Sequence, residues 1–497
     1  MKHTSFTVGI GAILLSLGLI ILSHSQRVNA LTLEPSNDSI DNIELQTSQS
    51  VTIQGTILIE ALEQDSDTFY PVTIEASNIQ FSIYHIDSYG PILLSNGATD
   101  LNGNYSIIVP MIDPMGLNLY FELRTTTPRA LIVSDEWQNP YTHITSILAS
   151  QVTQENLTLN YTIPEEDNTA QPFYVAYMIE KGYSFLADLN LWPNPMQVEV
   201  KHNWNCLTVF IGDSCYPGLG LIYLAPSHNR YPDIILHEYG HFVHAQQIGD
   251  LPIITACASI GFSHQLFAPS SVTCAWVEGW AHFFQMAVQN DHDYIGNDLE
   301  NVNEKLLTIT EAPELYEFIV AAMLWDIFDN NPDYHAGYIT QTFDAINDGF
   351  NGAQNNGIWH ITTQVSTPPS TLFQFFDIWY TSRGVDPISR CDVAQLFTYY
   401  QIPRTFSLTF VTEPYFNVPT SSGPICADGQ VAQDEEISFY ISSLANTSYN
   451  YIIWQSNQAH IQNPFENPVV FTTLENTVLI AKLYRNRIYL PTLNPLD

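Results

Sequence analysis

His237-Glu238-Tyr239-Gly240-His241 stands between Ile234-Ile235-Leu236 and Phe242-Val243, with Pro232 just before this run and Gly249 just after it. Proline suits the first turn of a helix and glycine its end, so the pattern predicts one helix over residues 233–249. On such a helix, positions i and i+4 project from one face with their Cβ atoms about 6 Å apart. The imidazoles of His237 and His241 can then grip one Zn²⁺ at about 2.0–2.1 Å from each nitrogen. Glu238 follows His237 directly and can lean over the same face without binding the ion, where it can take a proton from water made acidic by the metal. The competing account is a helix that happens to carry two unrelated histidines and a surface glutamate. The apolar flanks weigh against it, because they bury the helix and leave its polar face for a cleft.

Catalytic zinc takes three protein ligands and keeps one position open. A third histidine would extend the pattern to HExxHxxGxxH, but His244 stands where the glycine belongs and Gln247 where the histidine belongs. The remaining source is a carboxylate from a later helix. Trp276-Val277-Glu278-Gly279-Trp280-Ala281-His282-Phe283-Phe284 sets one acid, Glu278, inside a strongly apolar and aromatic run. A buried carboxylate needs a partner, and a metal is one; an interior glutamate paired with a polar neighbour is the alternative.

The HEYGH string followed by the EGWA-type helix resembles the gluzincin metallopeptidases of the thermolysin-like clan, in particular fungalysin-type members. The resemblance runs over about residues 218–329. It implies zinc held by His237, His241 and Glu278, and peptide-bond hydrolysis through metal-bound water activated by Glu238. It also implies that Gly220-Leu221-Ile222-Tyr223-Leu224-Ala225-Pro226 is an edge strand for an extended peptide, and that the helix from Glu317 to Asp326 packs behind the site. Two features depart from the pattern. Many gluzincins carry an acid four positions after the ligand glutamate, where it orients a zinc-bound histidine; here that position is His282. No clear motif marks the residue that stabilises the oxyanion, and Tyr334, His335 and His360 are candidates by position only. His244 reads as a helix-face histidine.

The 51 Asp and Glu against 14 Lys and Arg give a formal charge of -37, which repels nucleic acid and anionic lipid. The expected partner is a peptide or protein substrate; oligomeric state is not legible. Lys2 and His3 precede an apolar run from Phe6 to Leu22, and Val28-Asn29-Ala30 offers small residues for cleavage, so residues 1–30 read as a signal peptide. An uncleaved anchor is the alternative; either way the remainder is exported, and cleavage leaves no stable membrane insertion. The six cysteines fit an oxidising compartment, with neighbour pairings Cys206–Cys215, Cys257–Cys274 and Cys391–Cys426.

Residues 31–165 alternate apolar and polar positions, as in Val51 to Ile59 and Ile79 to Tyr84, and read as a β-sandwich. Thr99-Asp100-Leu101-Asn102-Gly103-Asn104-Tyr105 resembles the turn of transthyretin-like or carboxypeptidase-regulatory-like domains, with Asn and Gly supplying positive φ. Residues 409–497 return to a β texture. The fold class expected is multidomain α+β: a mainly helical zincin-type catalytic domain over 166–408, flanked by N- and C-terminal β-sandwich-like domains. The function expected is that of a secreted zinc metallopeptidase. A catalytically silent zincin-fold scaffold and a zinc hydrolase of non-peptide amides are the other readings.

Overall fold

A computed structural model describes residues 50–65, 68–112, 116–133, 139–152, 155–189, 191, 196–206, 214–248, 257, 265–299, 302–328, 358–363, 367–382, 396–397 and 399–402, together with strands between 405 and 484. The expected leader, Tyr334, His335, Cys391 and Cys426 lie outside the described residues.

Strand β1 (Ser50–Asp65) organises the first β layer. Its alternating Val51, Ile53, Ile57, Ile59 and Ala61 are buried, the outcome a period-two pattern dictates when one sheet face meets a core. The first half of β1 pairs antiparallel with β5 (Asn104–Pro110) and parallel with β10 (Asn156–Thr158). The second half pairs antiparallel with β2 (Thr68–Glu75) and parallel with β11 (Tyr161–Ile163). A second sheet runs β4 (Gly90–Ala98), β3 (Gln80–Asp87), β6 (Leu117–Arg124), β8 (Thr142–Ile144), and β9 (Ala149–Val152) also pairs with β6. The two sheets face each other through Phe81 and Tyr105, whose rings meet edge to face at 5.3 Å. In the turn before β5, Asp100 Oδ1 accepts from the Asn102 and Asn104 amides at 2.9 and 2.8 Å. Gly103 alone supplies the positive φ there, at 70°; Asn102, expected to share it, does not. A Cβ at Gly103 would sit 2.5 Å from the Ile57 carbonyl oxygen, so both the conformation and the close approach require glycine.

The next layer is a four-stranded sheet in the order β13 (Cys215–Gly218), β14 (Leu221–Leu224), β12 (Val198–His202), β7 (Ala130–Val133). β7, β12 and β14 are parallel, while β13 runs antiparallel on the outside. The stretch expected to be the edge strand therefore lies inside the sheet, because β13 folds back and occupies its outer side. Among the described residues β13 is the outer strand on this side and β7 the outer strand on the other, and the disulfide Cys206–Cys215 ties down the first residue of β13. Helices α1 (Ala170–Asp188), α2 (Pro232–Ile248), α3 (Val272–Gln289), α4 (Asn303–Leu306), α5 (Glu317–Phe328), α6 (Ile358–Thr363) and α7 (Leu372–Ser382) complete the described helical part. α2 is buried from Ile234 to Ala245, packed against α1, α3, β13 and β14. α3 starts at Ser271, whose side chain accepts from the Cys274 amide at 3.1 Å, and ends on Asn290 in the left-handed region. Gly279 lets α5 approach α3: a Cβ there would fall on the Val320 side chain and stand 2.7 Å from the Glu317 carbonyl oxygen.

The mainly helical expectation is overturned. Among the described residues, strands outweigh the seven α-helices, and β12, β13, β14, β15 (Asp293–Tyr294) and β16 (Asn297–Asp298) lie inside the 166–408 stretch itself. Strands of two to five residues, such as β12, β13 and β14, are too short for a period-two signal to stand out from neighbouring apolar runs. The pairing of β12 with β7, far back in the chain, adds sheet that no local pattern announces. In the C-terminal stretch, β17 (Thr405–Glu413) joins β19 (Gln430–Ala432), β24 (Thr477–Tyr484) and β21 (Tyr451–Ser456) in one sheet. A second sheet joins β18 (Thr420–Ser422), β20 (Glu436–Tyr440), β23 (Val469–Thr472) and β22 (His460–Ile461). Among the described residues, no helix is long and apolar enough to cross a membrane.

Candidate metal centre

α2 and α3 bring three sequence-distant donors together. His237 Nε2 lies 3.2 Å from Glu278 Oε2, His241 Nε2 lies 3.0 Å from the same oxygen, and the two Nε2 atoms are 3.1 Å apart. All three side chains are buried, with His237 5% exposed and His241 and Glu278 each 3%. A ligand triangle around tetrahedral zinc, drawn with bonds of about 2.0–2.1 Å, has edges of about 3.3 Å. The observed triangle is within a few tenths of an ångström of that size, and its donor set of two imidazoles and one carboxylate suits zinc. Hydrogen bonding alone explains the arrangement poorly, since three buried atoms converge on one point where only pairs can share a proton.

The electrostatics favour ligation. Burial holds the His237 pKa well below its usual value, and the neighbouring His282 and His241 push in the same direction against the opposing pull of Glu278. His237 is therefore neutral near pH 7, with a lone pair to offer. Glu238 is buried beside the trio on α2. Tyr294, on the hairpin of β15 (Asp293–Tyr294) and β16 (Asn297–Asp298), forms one wall, its ring 4.2 Å from that of His282 and 6.1 Å from that of His237. Burial raises the Tyr294 pKa well above the usual phenol value, with Asp233, Glu238, Glu317 and Glu278 adding to the shift, so the hydroxyl keeps its proton.

His282 sits against the ring of His237, their centroids 4.3 Å apart, and its Nε2 lies 3.6 Å from Glu317 Oε2. His244 points elsewhere: its ring stacks on Trp280 at 4.5 Å, and burial lowers its pKa to about 3. His360 lies on α6 and is part-exposed. The second described disulfide, Cys257–Cys274, pins a residue of the α2–α3 connection to α3 one turn before Glu278. Cys257 Sγ stands 3.7 Å from Glu278 Oε1; a disulfide sulfur has no proton to donate, so the contact is one of packing.

Sequence reasoning did not place Tyr294, Glu317 or Cys257 beside the trio: Cys257 was read only as the disulfide partner of Cys274, and Glu317 only as the start of the helix behind the site. Glu317 carried a usable signal, since it opens an apolar helix as an isolated acid, the same property that singled out Glu278. Tyr294 and Cys257 carried none, because only tertiary packing brings them to the trio.

The buried histidines also predict acid sensitivity. Burial lowers His202 to about 3, and His244 is similarly low. Both imidazoles titrate near 6.5 once unfolded, so the unfolded state binds the extra protons and stability falls as pH drops from 6.5 towards 3. Each contributes about 1.4 kcal/mol per pH unit in that window. Asp233 works in the opposite sense. Burial raises it from 3.8 to about 6, so stability it loses above pH 6 returns on acidification. Denaturant unfolding of His244→Gln at a series of pH values should show a flatter slope than wild type between pH 6.5 and 4. Parallel slopes would contradict the assignment.

Residues 197–392 match the family model described as the Mycolysin C-terminal domain, which relates this stretch to a peptidase-associated domain family. An uncharacterised protein of Archaeoglobus fulgidus is 27% identical over 128 residues, covering 25% of this chain and 35% of that protein. The chain thus spans about a third of that curated relative. Among solved structures, a 9R-lipoxygenase from Cyanothece PCC8801 is 16% identical with a TM-score of 0.17, covering 31% of this chain and 26% of that one. The major plantain pollen allergen Pla l 1 is 13% identical with a TM-score of 0.15, covering 24% of this chain and 94% of that one.

Proposed function

We propose that this protein is a secreted zinc-dependent peptidase whose metal is held by His237, His241 and Glu278 and whose general base is Glu238. The observation that carries the reading is the convergence of the three buried donor atoms within 3.0–3.2 Å of one another. The match of residues 197–392 to a mycolysin-associated domain supports a peptidase over other zinc hydrolases. The two disulfides support an oxidising, extracellular setting.

Zinc at this site supplies Lewis-acid polarisation of the scissile carbonyl and lowers the pKa of a water molecule towards about 7. The chain's own residues do the rest. Glu238 takes a proton from the attacking water and returns it to the leaving amine nitrogen, so one carboxylate serves first as base and then as acid. The site lies between apolar helices, where the local dielectric is low and each charge acts more strongly than in water. An extended substrate backbone can pair with β13, the outer strand of the sheet against which α2 packs. The expected substrate is a peptide or protein, and the chain's strong negative charge disfavours nucleic acid.

The test is hydrolysis of a broad fluorogenic peptide library by the purified full chain. Activity should vanish on treatment with a chelator and return on addition of one equivalent of Zn²⁺. A zinc-loaded protein that cleaves nothing in the library would favour the silent scaffold instead.

A further inference from the structure

We infer that Glu317 and His282 form a positioning pair for His237, delivering to that ligand, through an intervening imidazole, the support of a carboxylate on the next helix. The inference rests on the reading that His237, His241 and Glu278 hold zinc.

An imidazole that binds a metal through one nitrogen presents the other to a hydrogen-bond partner, and that partner sets the ring's tautomer and orientation. His237 Nε2 faces Glu278 and His241, which leaves Nδ1 for this role. Nδ1 is buried and has no hydrogen-bond partner. The ring beside it is His282, tilted at 44° with its centroid 4.3 Å away. His282 follows Glu278 by one helical turn, so α3 presents both side chains towards α2. His282 Nδ1 is likewise buried without a hydrogen-bond partner.

A neutral imidazole offers one donor and one acceptor, and which nitrogen accepts depends on what the other nitrogen meets. His282 Nε2 meets a carboxylate: Glu317 Oε2 lies 3.6 Å away, within ion-pair range and a few tenths of an ångström beyond a hydrogen bond. A proton on Nε2, facing the carboxylate, leaves Nδ1 of His282 able to accept from Nδ1 of His237; the two atoms are not hydrogen-bonded as they stand, and the pairing requires the rings to turn and close that gap when His237 holds the metal. Glu317 is 0% exposed and His282 only 3%, so no bulk water competes for either.

The surroundings are built to hold this arrangement. Glu317 is the first residue of α5, where the helix dipole stabilises a negative charge. Gly279, next to Glu278, permits the close approach of α5 that brings Glu317 to His282. Tyr294 packs edge-on against His282 at 4.2 Å and closes the remaining side.

The full chain is tested as wild type, Glu317→Gln and the double variant Glu317→Gln/His282→Asp. Zinc affinity is read by competition with a chromogenic chelator, and ligand geometry by the visible spectrum of the Co²⁺-substituted protein. Glu317→Gln keeps the side-chain volume and should weaken zinc binding by about 10–100-fold, the range expected for loss of an outer partner. The double variant places a carboxylate directly beside His237 and should recover most of that affinity and the wild-type Co²⁺ spectrum. Unchanged affinity in Glu317→Gln overturns the inference, as does a double variant no stronger than the single one, since packing alone predicts no rescue. If Glu317→Gln does not fold, His282→Gln reads the same step, and wild-type affinity there is equally fatal. A wild-type protein that takes up no zinc is a different outcome: it removes the peptidase reading itself.

Discussion

Glu238→Gln should lower peptide hydrolysis by about 10²–10⁴-fold, the usual contribution of a positioned general base, while zinc content stays at wild-type level. The substitution keeps the length and shape of a side chain buried next to His237 on α2, and removes only its ability to accept a proton at neutral pH. Loss should appear in kcat with little change in KM, because the group acts on the reacting water and not on ground-state binding. The measurement is steady-state kinetics alongside metal analysis of the same preparation. Retained activity would show that some other group takes the proton. Loss of zinc together with activity would show that Glu238 belongs to the ligand set.

Glu278→Ala should abolish the stabilisation that zinc gives the folded chain. With zinc present, the variant loses one ligand of three, and its affinity should fall by more than the roughly 10–100-fold that an outer partner costs. Zinc should then no longer raise its melting temperature, because a ligand stabilises only the state that binds it. In the metal-free protein the Glu278 carboxylate, 3% exposed, lies within hydrogen-bond distance of the Nε2 atoms of both His237 and His241, so truncating it also removes those contacts. The metal-free variant should therefore melt below metal-free wild type, and the readout is the rise in melting temperature that zinc adds to each protein. Thermal melts of both proteins, metal-free and zinc-loaded, check the four values together. A Glu278→Ala protein that zinc stabilises as much as it does wild type would remove Glu278 from the ligand set.

The two predictions differ in how far they lean on tertiary structure. Glu238 is tied to His237 and His241 by helical spacing, which is a local property of the chain. Glu278 reaches them only if α3 returns along α2, and the 3.0–3.2 Å triangle requires that return. The sequence singled out Glu278 because an isolated acid in an aromatic helix is costly to bury. That physical oddity was visible without knowing where the helix goes.

What the amino-acid order determined by itself is short-range. It includes the α2 helix with two histidines on one face, the buried character of α3, the alternating core of β1, the tight turn at Gly103 and the pairing of cysteines close in sequence. Each depends on residues a few positions apart, where periodicity, capping and chain entropy act directly. Tertiary structure alone decided that β13 covers β14 and becomes an outer strand among the described residues, and that β7 completes the sheet with β12. It also decided that sheet predominates over helix among the described residues, and that Tyr294 and Glu317 stand around His282 beside His237. Those outcomes depend on which distant surfaces exclude water most completely when they meet, a property that no single stretch of the chain contains.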